Sequence, residues 1–289
     1  MSRLLAILII LPILACGGSE READNGEASD QDRSEAVPAV ILHYEISISD
    51  IPLVDPQTEK IEMALSPEMM KYTGVAEISV DGDSRQLKRA SILDFTDQSQ
   101  TFLDAEDSSF TVNFYDIPER IDTADDTLKM QPYEISLILI DEKKTIPPLQ
   151  ECRKVNVRSR VDTKMAKSDS VPKLRGELWV YEDDEISQIQ LSYYKMLADF
   201  LGDPEFDGLE LWGVLNRLGI PREEIQEILR SLEGLVAEAD LTVEMYSLGK
   251  KASVKVSMKI RDFEKKRLPG TYFNIPAEYD PAFEVGQGF

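Results

Sequence analysis

The sequence has few residues of the kinds that build metal sites, disulfide frameworks and redox centres. It contains two cysteines and one histidine in 289 residues. Two cysteines are too few for a disulfide framework, and one histidine leaves no histidine-based metal site or catalytic centre. Gly-rich phosphate loops, nucleophile elbows and zinc-binding helices are also missing from the sequence. The sequence therefore predicts a protein that is not an enzyme and that uses no metal or cofactor.

Positive charge is scarce as well. Asp and Glu number 54 against 32 Lys and Arg, which gives a formal net charge of −22. This balance argues against nucleic-acid binding, because that binding draws its affinity from neutralising phosphates. The hydrophobic fraction of 42% is nevertheless sufficient for a packed core, and the length allows one large domain or two small ones.

The N-terminus carries a short apolar run. One arginine, Arg3, precedes the uncharged residues 4–15. This run is shorter than the ~20 apolar residues that a membrane-spanning helix needs, but it fits the core of a signal peptide at residues 1–15. It ends at Ile13-Leu14-Ala15-Cys16, which resembles the lipobox of bacterial lipoproteins. The resemblance implies cleavage before Cys16 and acylation of that cysteine as a membrane anchor; the alternative is an ordinary secreted protein with a chance cysteine.

The residues that follow Cys16 predict the membrane in which the protein lies and a disordered tether. Gly17 and Gly18 do not resemble the aspartate that retains lipoproteins in the inner membrane of enteric bacteria, so the outer membrane is favoured. Residues 16–39 are rich in acidic side chains and poor in large apolar ones. Such a segment cannot bury a core, so we expect a disordered acidic tether.

Alternation of apolar and polar residues begins at Val40 and continues to about residue 280. This period of two is typical of strands with one dry and one wet face, which favours an antiparallel sheet of about ten to eleven strands. A sheet of that size tends to curl, so we expect a curved half-barrel. The strands are predicted around 40–48, 61–65, 76–80, 110–114, 135–139, 178–180, 241–245 and 254–260.

Helical spacing replaces alternation in a segment at about 187–238. Two or three helices are predicted there, and the apolar face of the sheet needs them as a cover. The fold class is therefore mainly β with a helical cover (α+β). A filled core is the default expectation, and the alternative is a lipid-sized cavity beneath the helices. The possible cavity wall comprises Trp179, Tyr194, Leu197, Phe200, Trp212, Leu215, Ile225 and Leu229.

Several fragments resemble a bacterial envelope family that is similar to the lipoprotein carriers LolA and LolB and to mycobacterial LppX. They are Ile92-Leu93-Asp94, Thr101-Phe102-Leu103-Asp104, Lys143-Lys144-Thr145-Ile146 before Cys152, Glu177-Leu178-Trp179-Val180, and Phe273-Asn274-Ile275-Pro276-Ala277-Glu278-Tyr279. The resemblance covers about residues 40–280 and implies a half-barrel closed by helices, often around an apolar cavity. Pro147-Pro148-Leu149 depart from the family pattern, and the segment at 187–238 is longer and more helical than usual.

The remaining candidates for chemistry favour structural roles. Cys152 has no second thiol or histidine nearby in sequence, which favours a packed cysteine. His43 alternates with the apolar residues of its strand, so we expect it to face solvent. The acidic clusters at Asp122, Asp125-Asp126 and 182–185 lack the spaced ligands of a calcium loop and are read as solvated turns.

These observations predict a lipid-anchored envelope protein with a half-barrel domain at 40–280 and a tail at 281–289. Its expected activity is binding a lipid or acyl chain, without catalysis and without nucleic acid. The alternative is an interaction or structural module with a solid core that binds a protein partner through its acidic surface or sheet edge.

The lipobox gives the first testable prediction. Cys16→Ser removes the acylated sulfur, so the protein is expected to move from the membrane fraction to the soluble fraction in cell fractionation. Cys152→Ser is the matched control and should stay with the membranes. Unchanged membrane association of the Cys16 variant would refute the lipobox interpretation.

Overall fold

The computed structural model describes residues 35–52, 54–80, 83–115, 133–161, 172–200, 210–247 and 250–282. The predicted signal peptide, Cys16, most of the tether, the acidic residues at 122–126 and most of the tail lie outside these ranges. The first strand begins at Ala36, a few residues before Val40, where the alternation was expected to start.

One sheet of twelve strands contains most of the described residues. The strands, in chain order, are β1 Ala36–Ser49, β2 Gln57–Leu65, β3 Met69–Val80, β4 Asp83–Asp94, β5 Ser99–Asp104, β6 Ser109–Phe114, β7 Tyr133–Ile146, β8 Leu149–Val161, β9 Lys173–Tyr181, β10 Leu235–Ser247, β11 Lys250–Pro269 and β12 Asp280–Pro281. Their spatial order is β12-β6-β5-β4-β3-β2-β1-β11-β10-β9-β8-β7. The chain thus starts at the centre, runs outward to β6, resumes at the other edge with β7, and returns to the centre with β11.

The expected fold class is wrong, although the expected ten to eleven strands are close to the twelve observed. The sheet is mixed rather than antiparallel throughout, because β12 pairs with β6 in parallel while all other neighbours are antiparallel. It is one open sheet rather than the expected half-barrel closed by helices, and its end strands, β12 and β7, do not pair with each other among the described strands. Helices are a minor part of the structure. Short-range alternation indicates individual strands but carries no information on which edges meet, and this explains the error.

The two faces of the sheet differ sharply in chemistry. On the inner face, β1 contributes Val40, Leu42, Tyr44, Ile46 and Ile48 to the main core, all of them buried. The outer face carries ion pairs between strands. Lys154–Glu177 at 2.7 Å and Lys251–Glu244 at 3.1 Å join neighbouring strands, and Lys144 on β7 reaches Glu238 on β10. Period-two alternation therefore produces one dry and one wet face, as predicted.

A second, smaller apolar cluster lies on the outer face of the central strands. A short 3-10 helix, Gly270–Phe273, follows β11 and places Phe273 against Ile41 and Ala64. This contact explains why residues 39–42 of β1 are buried in an unbroken row. The closing segment singled out in the sequence therefore shields part of the outer face before the chain reaches β12.

Three helices pack on the inner face as a helical layer. They are α1 Asp184–Phe200, α2 Glu210–Arg217 and α3 Arg222–Ser231. The helix α1 begins after Asp183, whose carboxylate accepts hydrogen bonds from the backbone N–H groups of Glu185 and Ile186, both at 3.1 Å. Asp183 also binds Lys265 at 2.8 Å and so ties the start of α1 to β11. No described helix has both the length and the apolar character to span a membrane.

The repeated Leu-Asp fragments of the sequence have a structural role in turns. Asp94 ends β4, and its Oδ1 accepts hydrogen bonds from the backbone N–H groups of Thr96 and Asp97, both at 2.9 Å. Asp104 ends β5 and does the same for the turn that follows it, at 2.8 Å to Glu106. Each aspartate thereby stabilises one hairpin of the β4-β5-β6 meander.

A glycine in β9 is required by close backbone approach, which gives a prediction for stability. A Cβ at Gly176 would lie 2.1 Å from the carbonyl oxygen of Asp240 and 2.8 Å from Cα of Leu241. Gly176→Ala should therefore lower the free energy of unfolding by about 1–3 kcal/mol, the usual range for overpacking. Urea denaturation measures this.

Gly219→Ala is the matched control, because Gly219 also has a positive φ but its Cβ would meet nothing closer than 3.7 Å. It should cost less than Gly176→Ala. Equal losses for the two variants would contradict the importance of the backbone contact.

Candidate functional site

A buried carboxyl group lies between the helical layer and the sheet. Glu210 is the first residue of α2, adopts a positive φ of 62°, and is only 6% exposed. Its electrostatic neighbours are three buried hydroxyl groups, those of Tyr44 on β1 and of Tyr193 and Tyr194 on α1. Three separate elements thus bring polar groups to one point in an apolar core, and we call these four residues with Gln190 the Glu210 cluster.

The Glu210 cluster contains polar atoms without partners. Oε1 of Glu210, the hydroxyl of Tyr193 and Oε1 of Gln190 are all buried and make no hydrogen bond within the described part of the chain. The amide nitrogen of Gln190 does donate to the hydroxyl of Tyr194, at 3.4 Å. Leaving a buried polar atom unpaired costs roughly 1–3 kcal/mol, so these three atoms call for a physical reason.

Burial governs the protonation of this cluster. It raises the pKa of Glu210 from 4.5 to about 8, because a charged carboxylate is poorly solvated there. Burial, with the nearby Glu210 carboxyl, also raises the pKa of Tyr193 and of Tyr194. Glu210 therefore carries its proton at neutral pH, and can donate a hydrogen bond or release the proton to a base or a binding event.

Local sequence explains how these groups reach the core. Tyr44 stands between Leu42 and Ile46 in the alternation of β1, so it shares their inward face. On α1, Gln190 and Tyr194 are four residues apart and lie on the same side of the helix, with Tyr193 beside them. Each side chain lies in the core because the apolar residues of the same strand or helix face lie there. Each therefore brings at least one polar atom into the core.

A part-buried acid on the inner face of the sheet is fully compensated. Glu59 on β2 binds Arg89 on β4, with Nη2 at 2.6 Å from Oε1 and 2.7 Å from Oε2. Tyr72 on β3 donates its hydroxyl to Glu59 at 2.9 Å. Gly74 makes room for this arrangement, because a Cβ there would lie 2.3 Å from Glu59 Oε1. This cluster is therefore structural in character, unlike the Glu210 cluster.

A small cavity adjoins the Glu59 pair. Its volume is about 20 Å³, and α2 closes it with Val214 and Arg217. Such a space holds about one water molecule, since one water needs roughly 10–15 Å³ of cavity volume. An acyl chain does not fit there.

Most residues of the predicted cavity wall meet in the core between helices and sheet. Leu197, Phe200, Trp212, Leu215, Ile225 and Leu229 are buried there, and the half-buried Tyr194 packs against them. The ring of Phe200 lies 5.1 Å from that of Tyr115. None of these side chains lines the small cavity beside Glu59. Whether they enclose a ligand stays a prediction.

Trp179 is placed differently from the other predicted wall residues. Its neighbours in β9, Leu178 and Val180, point to the opposite face of the sheet. The indole ring lies under two ammonium groups, with Nζ of Lys144 at 4.8 Å and Nζ of Lys154 at 5.4 Å from its centroid. Trp179 is buried and belongs to the main core cluster by its contacts, but its ring also lies against the charged outer face, where cation–π contacts stabilise it.

Cys152 and His43 have the structural roles that were expected. Cys152 is a free, fully buried thiol, and burial raises its pKa, which makes it a poor nucleophile. His43 is partly exposed, with Nδ1 at 3.9 Å from a carboxylate oxygen of Glu62. The prediction of a packed cysteine and a solvent-facing histidine is therefore confirmed.

The acidic run at 182–185 lies at the start of α1. Asp183 caps the helix, and Arg153 binds Glu182 at 2.6 Å. Within the part of the chain that the structure describes, no three His, Cys, Asp or Glu side chains gather as metal ligands.

Sequence reasoning missed Glu210. It directly precedes the apolar residues Leu211 and Trp212, but an acid at the start of a helix is ordinary because it suits the helix dipole. Among 54 acidic residues nothing in the pattern marks this one. Only the packing of α2 against β1 and α1 reveals its burial.

Comparison with known proteins gives little guidance. No protein-family model matches the chain, and no curated protein does. A porin-like protein from Bacteroides uniformis matches with a TM-score of 0.23 and 11% identity, over 78% of this chain and 96% of its own. An outer membrane lipoprotein-sorting protein domain, so described, from Vibrio parahaemolyticus matches with a TM-score of 0.20 and 8% identity, over 84% and 92%. Likenesses this weak support no inference about function.

The raised pKa of Glu210 predicts a pH dependence of stability. Between the unfolded value of 4.5 and the folded value of about 8, the folded chain holds a proton that the unfolded chain has lost. Stability from this group is therefore full below pH 4.5 and falls as the pH rises to 8. The loss is at most roughly 5 kcal/mol, since one pKa unit corresponds to ~1.36 kcal/mol.

Urea denaturation of Glu210→Gln at pH 5 and pH 8.5 tests this dependence. The variant cannot ionise, so it should lose less stability over this range than the unsubstituted protein. Glu227→Gln, at an exposed position on α3, is the control and should leave the pH dependence intact. Parallel pH profiles for the Glu210 variant and the unsubstituted protein would disprove the assignment.

Proposed function

We propose that this chain is a non-enzymatic lipoprotein of the bacterial cell envelope that binds a hydrophobic ligand between its helical layer and the inner face of its sheet. The observation that carries the proposal is the apolar interface between these two layers, which contains several buried methionines. The ligand is a lipid or an acyl chain, and Cys16 holds the protein at the membrane, with the outer membrane favoured by the residues after the lipobox.

Methionines give this interface its adaptability. Met63 on β2, Met70 on β3, Met196 on α1 and Met258 on β11 are all buried in the main core. A methionine side chain is unbranched and polarisable, so it repacks around differently shaped partners and is frequent at promiscuous binding surfaces. An apolar ligand can therefore take the place of side-chain contacts between the layers.

The helical layer is held to the sheet largely by apolar contacts. Aromatic contacts join them, such as Phe95 with Tyr193, whose ring centroids lie 6.1 Å apart. A specific polar contact is the hydrogen bond from the backbone N–H of Ile135 to Glu224, at 2.7 Å. Apolar contacts are non-directional, so the helices can shift over the sheet while remaining buried. Because the cavity beside Glu59 holds only about one water, ligand entry requires such a shift.

A second candidate function is protein interaction through the edge strand β7. Among the described strands, β7 pairs only with β8. Ile138 is 49% exposed and Leu139 is 55% exposed near its middle. An open edge with apolar side chains on both faces can accept a further strand from a partner. On this alternative the core stays closed and binds nothing.

Ligand binding is tested with a fluorescent fatty acid added to delipidated protein, and with native mass spectrometry for retained lipid. Met63→Leu, Met196→Leu and Met258→Leu combined should weaken probe binding several-fold, because leucine repacks less readily. The fold should persist, since single Met-to-Leu exchanges usually cost under ~1.5 kcal/mol.

Met69→Leu is the matched control, because Met69 packs in the outer-face cluster. It should leave probe binding unchanged. A closed protein that neither retains lipid nor binds the probe would reject ligand binding and favour interaction through the β7 edge.

A further inference from the structure

We propose that the Glu210 cluster is a binding site for an ammonium group, carried either by a small soluble amine or by the head of an apolar chain. In the second case the inference rests on the proposed function and names the ligand class. The site consists of the Glu210 carboxylate, the unpartnered oxygens of Tyr193 and Gln190, and the aromatic rings around them.

Charge is the first argument for a cationic ligand. Glu210 lies in the core without an ion-pair partner among the described residues, whereas the acid Glu59 has Arg89. A buried charge is normally paired, and a buried carboxyl without a partner keeps its proton instead. The described groups that interact electrostatically with Glu210 are Tyr44 from β1 and Tyr193 and Tyr194 from α1, and none of them is a cation. A ligand cation supplies the charge that these residues lack.

Hydrogen bonding is the second argument. The three unpartnered atoms of the cluster are oxygens, namely Oε1 of Glu210, Oε1 of Gln190 and the hydroxyl of Tyr193. Once Glu210 is ionised, all three can accept a hydrogen bond, and the amide oxygen of Gln190 can do nothing else. An alkylammonium group has three N–H donors and no acceptor. A carboxylate or phosphate head would place acceptors against acceptors and negative charge beside Glu210.

The aromatic rings and the backbone support the same ligand. The rings of Tyr193 and Tyr194 lie 5.9 Å apart, and Phe95 lies 6.1 Å from Tyr193. Aromatic faces attract cations, and the attraction grows when water is excluded. Glu210 itself has a positive φ of 62°, a backbone conformation that is costly for a non-glycine residue and is concentrated at ligand clamps.

Isothermal titration calorimetry with three probes of equal chain length tests the site on the full chain. The probes are dodecylamine, dodecanol and laurate, each below its critical micelle concentration at pH 7. Dodecylamine should bind at least tenfold more tightly than dodecanol, and laurate more weakly than either. Glu210→Gln should abolish the amine preference, so that dodecylamine binds no more tightly than dodecanol.

Proton release is an independent readout of the same binding event. Glu210 is mostly protonated at pH 7 because burial raises its pKa to about 8, and pairing with ammonium requires it to ionise. Dodecylamine binding should therefore release a proton, and the measured binding heat should change with the ionisation enthalpy of the buffer. The Glu210→Gln variant should release none, and Glu227→Gln should behave as the unsubstituted protein.

The outcomes separate this inference from the proposed function. Equal binding of amine and alcohol, or an amine preference that survives Glu210→Gln, overturns the ammonium site and leaves ligand binding intact. Failure of all three probes overturns the chain-bearing ligand and the proposed function together. Ethylamine is tested as an amine without an apolar chain. If it displaces dodecylamine at the concentrations at which dodecylamine itself binds, the site is assigned to a small soluble amine. If no amine binds at all, the ammonium site is overturned.

Discussion

The structure depends on the register of its central strand. β1 pairs with β11 on one side and β2 on the other, so Ile46 lies beside Met258 and between strands that continue the same apolar face. Because side chains alternate with a period of two, a slip by one residue would send the apolar set of β1 to the charged face. The second, smaller apolar cluster on the outer face, which contains Phe273, reinforces this register. It requires Ile41 and Ala64 to stay opposite each other. Only with the register fixed does the sheet present one continuous dry face on which the helices can pack.

That dry face makes its polar residues informative. Glu59 and Glu210 are both withdrawn from water, but the chain treats them in opposite ways. Around Glu59 it supplies an arginine, a tyrosine hydroxyl and a glycine that leaves room for the carboxylate. Around Glu210 it supplies three tyrosines and an amide, and leaves oxygens of the cluster unbonded. The core satisfies the carboxylate of Glu59 but not that of Glu210, and buried oxygens of Gln57 and Ser91 are likewise without a hydrogen bond among the described residues.

Much of the fold can be predicted from local patterns in the sequence, but the pairing at the ends of the sheet cannot. The alternation in β1, β7 and β11 identifies these strands, and the spacing of Leu211, Leu215 and Ile225 identifies the helical segment, because each signal lies within a few residues. The parallel pairing of β12 with β6 and the open edges depend on contacts across the whole chain, which periodicity does not encode. Trp179 shows a related limit. Its size suggests the core, but its position between Leu178 and Val180 assigns it to the outer face, where Lys144 and Lys154 bury it.

The unpaired oxygens and the methionine-rich interface have a joint physical consequence. Buried polar atoms without partners raise the free energy of the closed state and therefore reduce the cost of separating the helices from the sheet. Methionines let the helical layer and the sheet pack again around a bound ligand. An apolar interface alone accepts any chain of suitable size and distinguishes poorly between head groups. One buried carboxyl group changes this, because it imposes a charge requirement at a single point while the rest of the interface stays permissive. Selectivity for the head and tolerance for the chain then reside in different residues, and each can vary without altering the sheet.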